Sequence, residues 1–368
     1  MTDTTAVPGS GTLGTEPGTV NGSVVPGTDW EPGTAVVPSS VPPMREPGTD
    51  PYADVSAILD GTVPEPPEPR VLRRLDGRCL FYLEQVNFVF GDPEGGKTWV
   101  CLAAAAEALQ GRGRVVVIDL DHNGAAATVA RLVSLGAPVE ALRDRGRFLY
   151  AEPEDRIELM TVVEDVRSWR PTVAVVDSIG ELLPLFGSSS NSADEFTVVH
   201  SRVLKPLAKA GAAVLAVDHL AKGFDSRSFG PSGTGAKRRA IGGVSLRVKA
   251  KEQFTPGKGG SAVLTINKDR HGGLRQHCPT GDREPLAGTF ILHAFAGGLL
   301  EWEVKPPADG ERNADEAAPA SDVAEIASLD PAPRTVDDAR ERLRWNKQRA
   351  ANAMREWRKT LNSNGNEE

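Results

Sequence analysis

The sequence predicts an α/β fold with a central, mostly parallel sheet that carries a phosphate-binding loop. Residues 91–98 read Gly-Asp-Pro-Glu-Gly-Gly-Lys-Thr, which matches the pattern of such a loop. An apolar run precedes the loop and an alanine-rich helical stretch follows it, in the order that the motif requires. Continuous β-branched runs then alternate with helical segments, which is typical of parallel strands covered by helices on both faces.

Composition excludes several classes of protein. The chain has 368 residues and a formal net charge of -8, so any nucleic-acid contact must come from a local basic patch. Its three cysteines, Cys79, Cys101 and Cys278, lack Cys-x-x-Cys spacing, which favours reduced thiols over disulfides or a zinc site. Neither a membrane-spanning apolar run nor a signal peptide is found, so we expect a cytoplasmic protein without membrane contact.

The amino-terminal part of the chain is predicted to lie outside the folded core. Residues 1–52 are rich in Pro, Gly and Thr and hold few large apolar side chains, so they cannot offset the entropy of ordering and should form a disordered tether. Residues 53–70 are predicted to contain a short helix at 54–60 and a stiff Pro-rich connector. The folded core is expected to span residues 71–304.

Within this core, strands and helices are predicted to alternate. The strands of the parallel part are expected at residues 86–90, 114–120, 147–150, 172–178 and 213–217. The helices between them are expected at residues 99–110, 125–135, 156–169 and 192–209. Further strands are expected at residues 244–248, 261–266, 290–295 and 299–304. A ligand of such a sheet lies outside the carboxyl ends of the strands, where most of the candidate catalytic groups fall.

The loop residues are the candidate nucleotide ligands. Glycines let successive backbone N–H groups face a phosphate, and the following helix adds the partial positive charge of its N-terminus. Lys97 would contact the β- and γ-phosphates, and the Thr98 hydroxyl would bind Mg²⁺. The predicted cofactor-binding residues are Gly91, Asp92, Pro93, Glu94, Gly95, Gly96, Lys97, Thr98 and Trp99.

Hydrolysis requires an acid that manages Mg²⁺ and a group that orients the attacking water. Asp177 ends an apolar strand and is the candidate for the first role, with a helix N-cap as the alternative. Asp121 leaves the strand after the loop helix and is the candidate general base. Asp119 remains an alternative base, because it points the same way one pleat earlier on that strand.

The loop, the strand ending in Asp177, and the stretches 218–222 and 266–272 together resemble the RecA-like ATPase core of plasmid RepA and DnaB-type replicative helicases. The resemblance covers about residues 71–304 and is nearest to the ATPases of actinobacterial plasmids, phages and integrated elements. It implies a RecA-like P-loop NTPase that hydrolyses ATP with Mg²⁺. The choice of ATP over GTP rests on this resemblance, because no residue identifies the base of the nucleotide. Relatives usually place a glutamate where this chain has Asp121, which is one methylene shorter.

The resemblance also implies roles for three further residues. His219 would be a sensor of the γ-phosphate, whereas a strand-end histidine without the resemblance is more often a satisfied polar residue. Lys268 and Arg270 resemble the Lys-x-Arg pair that hexameric relatives insert into the nucleotide of a neighbouring subunit, with a solvated strand end as the alternative. A homo-oligomer, in the form of a ring or hexamer, is therefore expected.

Two basic segments are candidates for DNA contact. The Gly-rich residues 222–239 lie where loops of the RecA-like core face the channel, so their cations would contact single-stranded DNA; a mobile loop is the alternative. Residues 305–334 are predicted to be a disordered linker. Residues 335–360 predict two short basic helices that resemble a helix-turn-helix for duplex DNA, with protein docking as the alternative, and residues 361–368 are expected to be a tail.

These observations favour an ATP-hydrolysing RecA-like DNA motor, such as a replicative helicase or RepA-like ATPase of a mobile element. The alternative is an ATP-switched regulatory or partition-like adaptor that binds DNA without unwinding it. A small-molecule kinase fits poorly, because the sequence shows neither a lid nor an acceptor-binding segment.

Overall fold

The computed structural model describes residues 52, 54–61, 67–187, 193–220, 235–295, 298–314 and 318–364, which fall into the units 1–63 and 64–368. In the first unit, helix α1 (Val55–Leu59) starts after Asp54, whose carboxylate accepts a hydrogen bond from the Ala57 N–H at 3.0 Å. Of the tail predicted at residues 1–52, residues 1–51 lie outside the described residues.

The second unit contains two sheets. Its strands are β1 (Pro69–Arg73), β2 (Cys79–Tyr82), β3 (Val86–Gly91), β4 (Val115–Asp119), β5 (Phe148–Ala151), β6 (Val173–Asp177), β7 (Ala213–His219), β8 (Val244–Thr255), β9 (Gly259–Asp269), β10 (Leu286–Ala294) and β11 (Leu300–Lys305). Strands β1 and β2 form a small hairpin, and the main sheet has the order β11-β10-β9-β8-β3-β7-β6-β4-β5. The strands from β8 to β5 are parallel, whereas β9, β10 and β11 add to β8 in antiparallel fashion. The predicted fold class, an α/β fold with a central and mostly parallel sheet, is confirmed.

Helices cover both faces of the main sheet. They are α2 (Lys97–Gln110), α3 (Ala125–Ser134), α4 (Val139–Arg143), α5 (Arg156–Trp169), α6 (Ile179–Leu182), α7 (Ala193–Val199), α8 (Lys205–Lys209) and α9 (Gly235–Ala240); a π-helical turn at His200–Leu204 joins α7 to α8. Val115 and Val117 of β4 pack on the α2 side, and Val116 and Ile118 pack on the α5 side. Because alternate side chains of a strand face opposite layers, both sets must be apolar, which explains the continuous β-branched runs.

A third apolar cluster lies in the carboxyl-terminal helices α10 (Ala320–Ala327), α11 (Val336–Leu343) and α12 (Lys347–Asn364). Ile326 of α10 is fully buried against Ala339 of α11 and Met354 of α12. The prediction of a disordered linker at 305–334 is therefore wrong over α10, because Ile326 is buried between two other helices that are distant in sequence. Helix α12 also extends into the predicted tail at 361–368. None of the helices in the described ranges could cross a membrane.

Candidate nucleotide-binding site

The carboxyl ends of four neighbouring strands meet at the phosphate loop. Gly91, the last residue of β3, pairs with His219, the last residue of β7. Asp177 ends the next strand, β6, and pairs with Asp119 at the end of β4. The sheet therefore gathers the loop, the histidine and the acids at one edge, where ligands of such sheets lie.

Two loop glycines are required by their surroundings. Gly96 precedes α2 with φ of 95°, a conformation that L side chains rarely adopt, and a Cβ there would lie 2.2 Å from the ring of Phe254. A Cβ at Gly91 would lie 2.1 Å from the carbonyl oxygen of Val248 on β8. The loop is thus pressed between α2 and strand β8, whose 12 residues extend well past the predicted end at Val248.

Lys97 lies inside the loop rather than in solvent. Its side chain is buried, and Nζ donates hydrogen bonds to the carbonyl oxygens of Gly91 at 3.2 Å and Asp92 at 2.7 Å. Burial lowers the pKa of Lys97, and the charge of Asp177 opposes that shift. The ammonium group is therefore held at the centre of the loop.

The remaining predicted loop ligands differ in position. Pro93 and Glu94 are exposed at the tip, whereas Gly95 is buried and its N–H donates to the Asp92 carbonyl oxygen at 3.2 Å. Trp99 packs against the apolar core, and its ring centre lies 5.7 Å from the guanidinium carbon of Arg131 on α3. The structure thus gives Trp99 a packing role between α2 and α3.

Thr98 and Asp177 form the part of the site that suits a metal ion. The Thr98 hydroxyl donates a hydrogen bond to Asp177 Oδ2 at 3.0 Å. Burial and the nearby charge of Asp121 raise the pKa of Asp177 to about 6, although the bond from Thr98 opposes the shift. A hydroxyl and a carboxylate are hard oxygen ligands, and the crowding of negative charge would be relieved by a cation, so these residues fit Mg²⁺.

The two acids that were candidates for the base have different surroundings. Asp119 is buried and accepts hydrogen bonds from the Tyr150 hydroxyl at 2.6 Å, Asn123 Nδ2 at 3.0 Å and the Gly124 N–H at 3.2 Å. Burial and the hydrogen bond to Asp119 raise the pKa of Tyr150, and the three hydrogen bonds hold Asp119 in the turn after β4. Asp121 is exposed, so its carboxylate is open to water.

Ser178 contacts one of these acids, although the sequence did not mark it as a candidate site residue. Its hydroxyl is buried and donates a hydrogen bond to Asp121 Oδ1 at 2.7 Å. The backbone N–H of Asp121 donates to the carbonyl oxygen of Asp177 at 3.0 Å, which joins the ends of β4 and β6. A hydroxyl residue directly after a strand-ending acid is the sequence feature that would have pointed to Ser178.

The residue before His219 holds an ion pair. Asp218 is fully buried, and Lys237 Nζ on α9 lies 2.6 Å from its Oδ2. The prediction that Lys237 contacts DNA is therefore wrong for this structure, because its ammonium group forms an ion pair with Asp218 inside the core. Arg238 and Arg239 are exposed, and residues 221–234, which include Lys222 and Arg227, lie outside the described residues.

Lys268 and Arg270 are not brought to the loop of their own chain. Lys268 pairs with Ser245, which is level with Phe88, three residues before Gly91 on β3. The Arg270 N–H donates to the carbonyl oxygen of Gly243 at 3.0 Å, still further from the loop. The pair thus lies about 10 Å or more from Gly91, toward the amino end of the parallel strands.

The carboxyl-terminal helices use part of their positive charge for packing. Arg349 donates to both carboxylate oxygens of Asp322 on α10, at 2.7 and 2.8 Å, and its guanidinium carbon lies 4.1 Å from the ring centre of Trp345. Arg355 and Arg312 approach Asp282 of the core, the former at 3.6 Å. The expected pair of basic helices is therefore part of a three-helix unit attached to the core that contains the main sheet.

Comparisons with known proteins find one matching family and several similar proteins. A family described as AAA domain matches residues 53–225. The DNA repair protein RAD51 homolog 4 of Bos taurus is 28% identical over 166 residues, which make up 41% of this chain and 51% of that protein. Protein RecA of Thermus aquaticus is 25% identical over 187 residues, with coverage of 50% and 52%. The chain spans about half the length of the curated relatives it matches.

A solved structure, that of a KaiC-like protein from Pyrococcus horikoshii OT3, superimposes with a TM-score of 0.45 at 13% identity, covering 66% of this chain and 100% of the other. The family match and the curated relatives support a RecA-like P-loop ATPase domain. The narrower resemblance to plasmid RepA and DnaB-type helicases stays a prediction.

Proposed function

We propose that the protein is an ATP-hydrolysing RecA-like DNA motor, a replicative helicase or RepA-like ATPase, that acts as a ring-shaped homo-oligomer in the cytoplasm. The observation that carries this proposal is the convergence of two hydrogen-bonded pairs, Thr98 with Asp177 and Ser178 with Asp121, beside the buried Lys97. The first pair suits a metal ion and the second presents an oriented carboxylate to water.

Each residue has a distinct task in hydrolysis. Lys97 and the loop N–H groups hold the phosphates, while Thr98 and Asp177 hold Mg²⁺, which when bound offsets the charge that develops in phosphoryl transfer. Asp121 orients the attacking water and accepts its proton. The bond from Ser178 fixes one oxygen of that carboxylate and leaves the other available. His219, beside Gly91 in the sheet, is placed to respond to the γ-phosphate.

The position of Lys268 and Arg270 supports assembly into an oligomer. Both lie away from the loop of their own chain, so they can act on a nucleotide only when another subunit presents one. Two cations added from a neighbour would stabilise the charged transition state and make hydrolysis depend on assembly.

DNA is proposed as the partner on two grounds. The relatives named RecA and RAD51 homolog 4 include one described as a DNA repair protein. Exposed cations lie at Arg238 and Arg239, next to the segment proposed for single strands, and at Arg344 and Lys347 in the three-helix unit proposed for duplexes. Contacts of such cations with phosphates would be independent of sequence.

The decisive experiment is the rate of ATP hydrolysis without DNA, with single-stranded DNA and with duplex DNA. Lys97→Ala should abolish turnover, whereas the matched variant Lys209→Ala on α8, away from the loop, should leave turnover unchanged. Stimulation by DNA supports the motor. Normal turnover in Lys97→Ala, or a rate indifferent to both kinds of DNA, would refute the assignment.

The adaptor function is kept as a second candidate because the three-helix unit is tied to the core at Asp282. Such an attachment suits a switch in which ATP changes how the helices meet DNA. Separation of a forked duplex distinguishes the two: the motor must separate strands in an ATP-dependent manner, whereas the adaptor shows only ATP-dependent binding.

A further inference from the structure

We propose that a basic cleft beside the β1–β2 hairpin, lined by Arg70, Arg73, Arg78 and His277, binds the phosphate groups of a nucleic-acid strand. This site goes beyond the proposed function, because it is separate from the nucleotide loop, from residues 222–239 and from the three-helix unit. We call it the hairpin cleft.

The hairpin cleft consists of two adjoining cavities. The first, of about 370 Å³, lies between the β1–β2 hairpin and the turn that carries Gly273 and His277. The second, of about 450 Å³, lies between the hairpin and the end of α2, and Arg112 contributes to its wall. Arg70 and Arg73 line both cavities, so the two adjoin along β1.

The cleft lies at the end of the sheet opposite to the phosphate loop. Helix α2 begins at the loop, runs for 14 residues and is therefore about 21 Å long, and the second cavity is formed at its far end. Thr172, which precedes β6, also lines that cavity. Ligand binding in the cleft is thus spatially separate from the chemistry at Asp177.

The charge in the cleft is opposite in sign to that of the chain. Each cavity has three arginines in its wall, against Glu68 in the first cavity and Glu107 in the second. Glu107 accepts hydrogen bonds from the N–H groups of Leu72 and Arg73 at 2.6 and 2.9 Å, so its oxygens point into the hairpin backbone. A concave cluster of guanidinium groups in a chain of net charge -8 is an electropositive site that suits phosphates.

The walls of the cleft are fixed by buried contacts. Arg74 is 2% exposed and joins them: it donates to Asp76 Oδ2 at 2.5 Å, to the Ala287 carbonyl oxygen at 2.7 Å and to the His277 carbonyl oxygen at 3.3 Å. On the other wall, Asp269 accepts from the N–H groups of Leu274 and Arg275 at 3.0 and 2.9 Å. The backbone that carries the cleft arginines is therefore ordered before a ligand arrives, which reduces the cost of binding.

Two cavities that share Arg70 and Arg73 match successive phosphates of one strand better than an isolated anion. Among the described residues that line the two cavities there is no Phe, Tyr or Trp on which a base could stack. Binding should therefore be indifferent to base sequence and strongly dependent on salt.

The test uses the full chain and a fluorescein-labelled oligodeoxythymidylate, titrated at several salt concentrations without ATP. The variant Arg70→Gln/Arg78→Gln should bind about tenfold more weakly and lower the slope of log affinity against log salt by about 1.4, the loss expected for two phosphate contacts. Arg70→Lys/Arg78→Lys keeps the charge and should retain most of the slope. Arg143→Gln removes an exposed arginine elsewhere and should change neither quantity.

Further measurements distinguish binding in the hairpin cleft from the proposed ATPase function. Lys97→Ala should bind the oligonucleotide like the wild type, so a failed ATPase assignment would leave the result intact. An unchanged salt slope in Arg70→Gln/Arg78→Gln, with a normal melting temperature, would overturn the proposal. So would sodium phosphate binding that depends on Arg70 and Arg78 while oligonucleotide binding does not, since the cleft would then hold a free anion.

Discussion

Lys237 Nζ lies 2.6 Å from Asp218 Oδ2, and neither side chain is exposed by more than 2%. The pair joins α9 to the end of β7, one residue before His219. Burial raises the pKa of Asp218, and the positive charge of Lys237 opposes this shift. Each charge is tolerated in the core only because the other is present.

Lys237→Met should therefore lower the free energy of unfolding by about 3–5 kcal/mol, since it leaves the Asp218 carboxylate buried without its cation. Chemical denaturation measures this loss. Adding Asp218→Leu to Lys237→Met should recover much of it, because both charges are then absent. The exposed neighbour Arg238→Met should stay within about 0.5 kcal/mol of the wild type. A stable Lys237→Met protein would show that the pair is not formed.

Asp119 and Asp121 should respond oppositely to the same substitution. Asp119→Asn removes carboxylate contacts with Tyr150 and the Gly124 N–H, so it should cost about 1–3 kcal/mol of stability. Asp121→Asn affects an exposed group and should keep stability within about 0.5 kcal/mol, while ATP turnover falls by about 10²-fold or more. Denaturation and steady-state turnover on both variants test this division. A large stability loss in Asp121→Asn with normal turnover would contradict it.

Asp177 should make folding stability depend on pH. Its pKa is raised from 3.8 to about 6 in the folded state, so the folded protein keeps a proton that the unfolded chain releases. Stability should then fall as pH rises from about 4 to about 6, by about 3 kcal/mol in total, and the penalty persists at higher pH. Asp177→Asn lacks this penalty.

The measurement is the difference in unfolding free energy between Asp177→Asn and the wild type, without Mg²⁺ or nucleotide, at several pH values. It should grow from near zero at pH about 4 to about 3 kcal/mol at pH about 7. Glu140→Gln, an exposed substitution on α4, should show a difference that does not vary with pH. A constant difference for Asp177→Asn would mean that its pKa is not raised.

Periodicity and local motifs were sufficient to predict the central sheet and its loop. Strands β4, β6 and β7 each contain a continuous apolar run because both of their faces are covered, and Asp177 and His219 follow from where two of those runs end. The fate of Lys237 could not be predicted, because its partner Asp218 lies 19 residues away and is brought near only by the fold.

Packing between segments that are distant in sequence also determines that α10 is a helix in the carboxyl-terminal region. Helix α10 holds its place through Ile326, and through Asp322 with Arg349 on α12, a residue 27 positions further along the chain. In the local sequence its Ala, Pro, Asp and Glu residues are indistinguishable from a linker. The hairpin cleft was missed for the same reason, since Arg70 and His277 are more than two hundred residues apart in the chain.

The location of Arg270 leads to a test of shared active sites. If Arg270 acts on the nucleotide of a neighbouring subunit, Arg270→Ala and Lys97→Ala should each be inactive as pure proteins. In an equal mixture, an interface that pairs Lys97 from the first variant with Arg270 from the second is complete. Random assembly makes about a quarter of the interfaces complete, so the mixture should regain about a quarter of wild-type turnover.

The matched control for this mixture combines Lys97→Ala with Asp177→Asn. Lys97 and Asp177 belong to the same half of the site, because their contacts lie within one chain. Every chain in that mixture lacks one of the two residues. No interface is therefore complete, and no turnover should return. Rescue in the control, or a wild-type enzyme that is active as a monomer on sizing, would rule out a shared site. Rescue only with Arg270→Ala would place Arg270 across the interface from Lys97, because complementation requires that the two residues come from different chains.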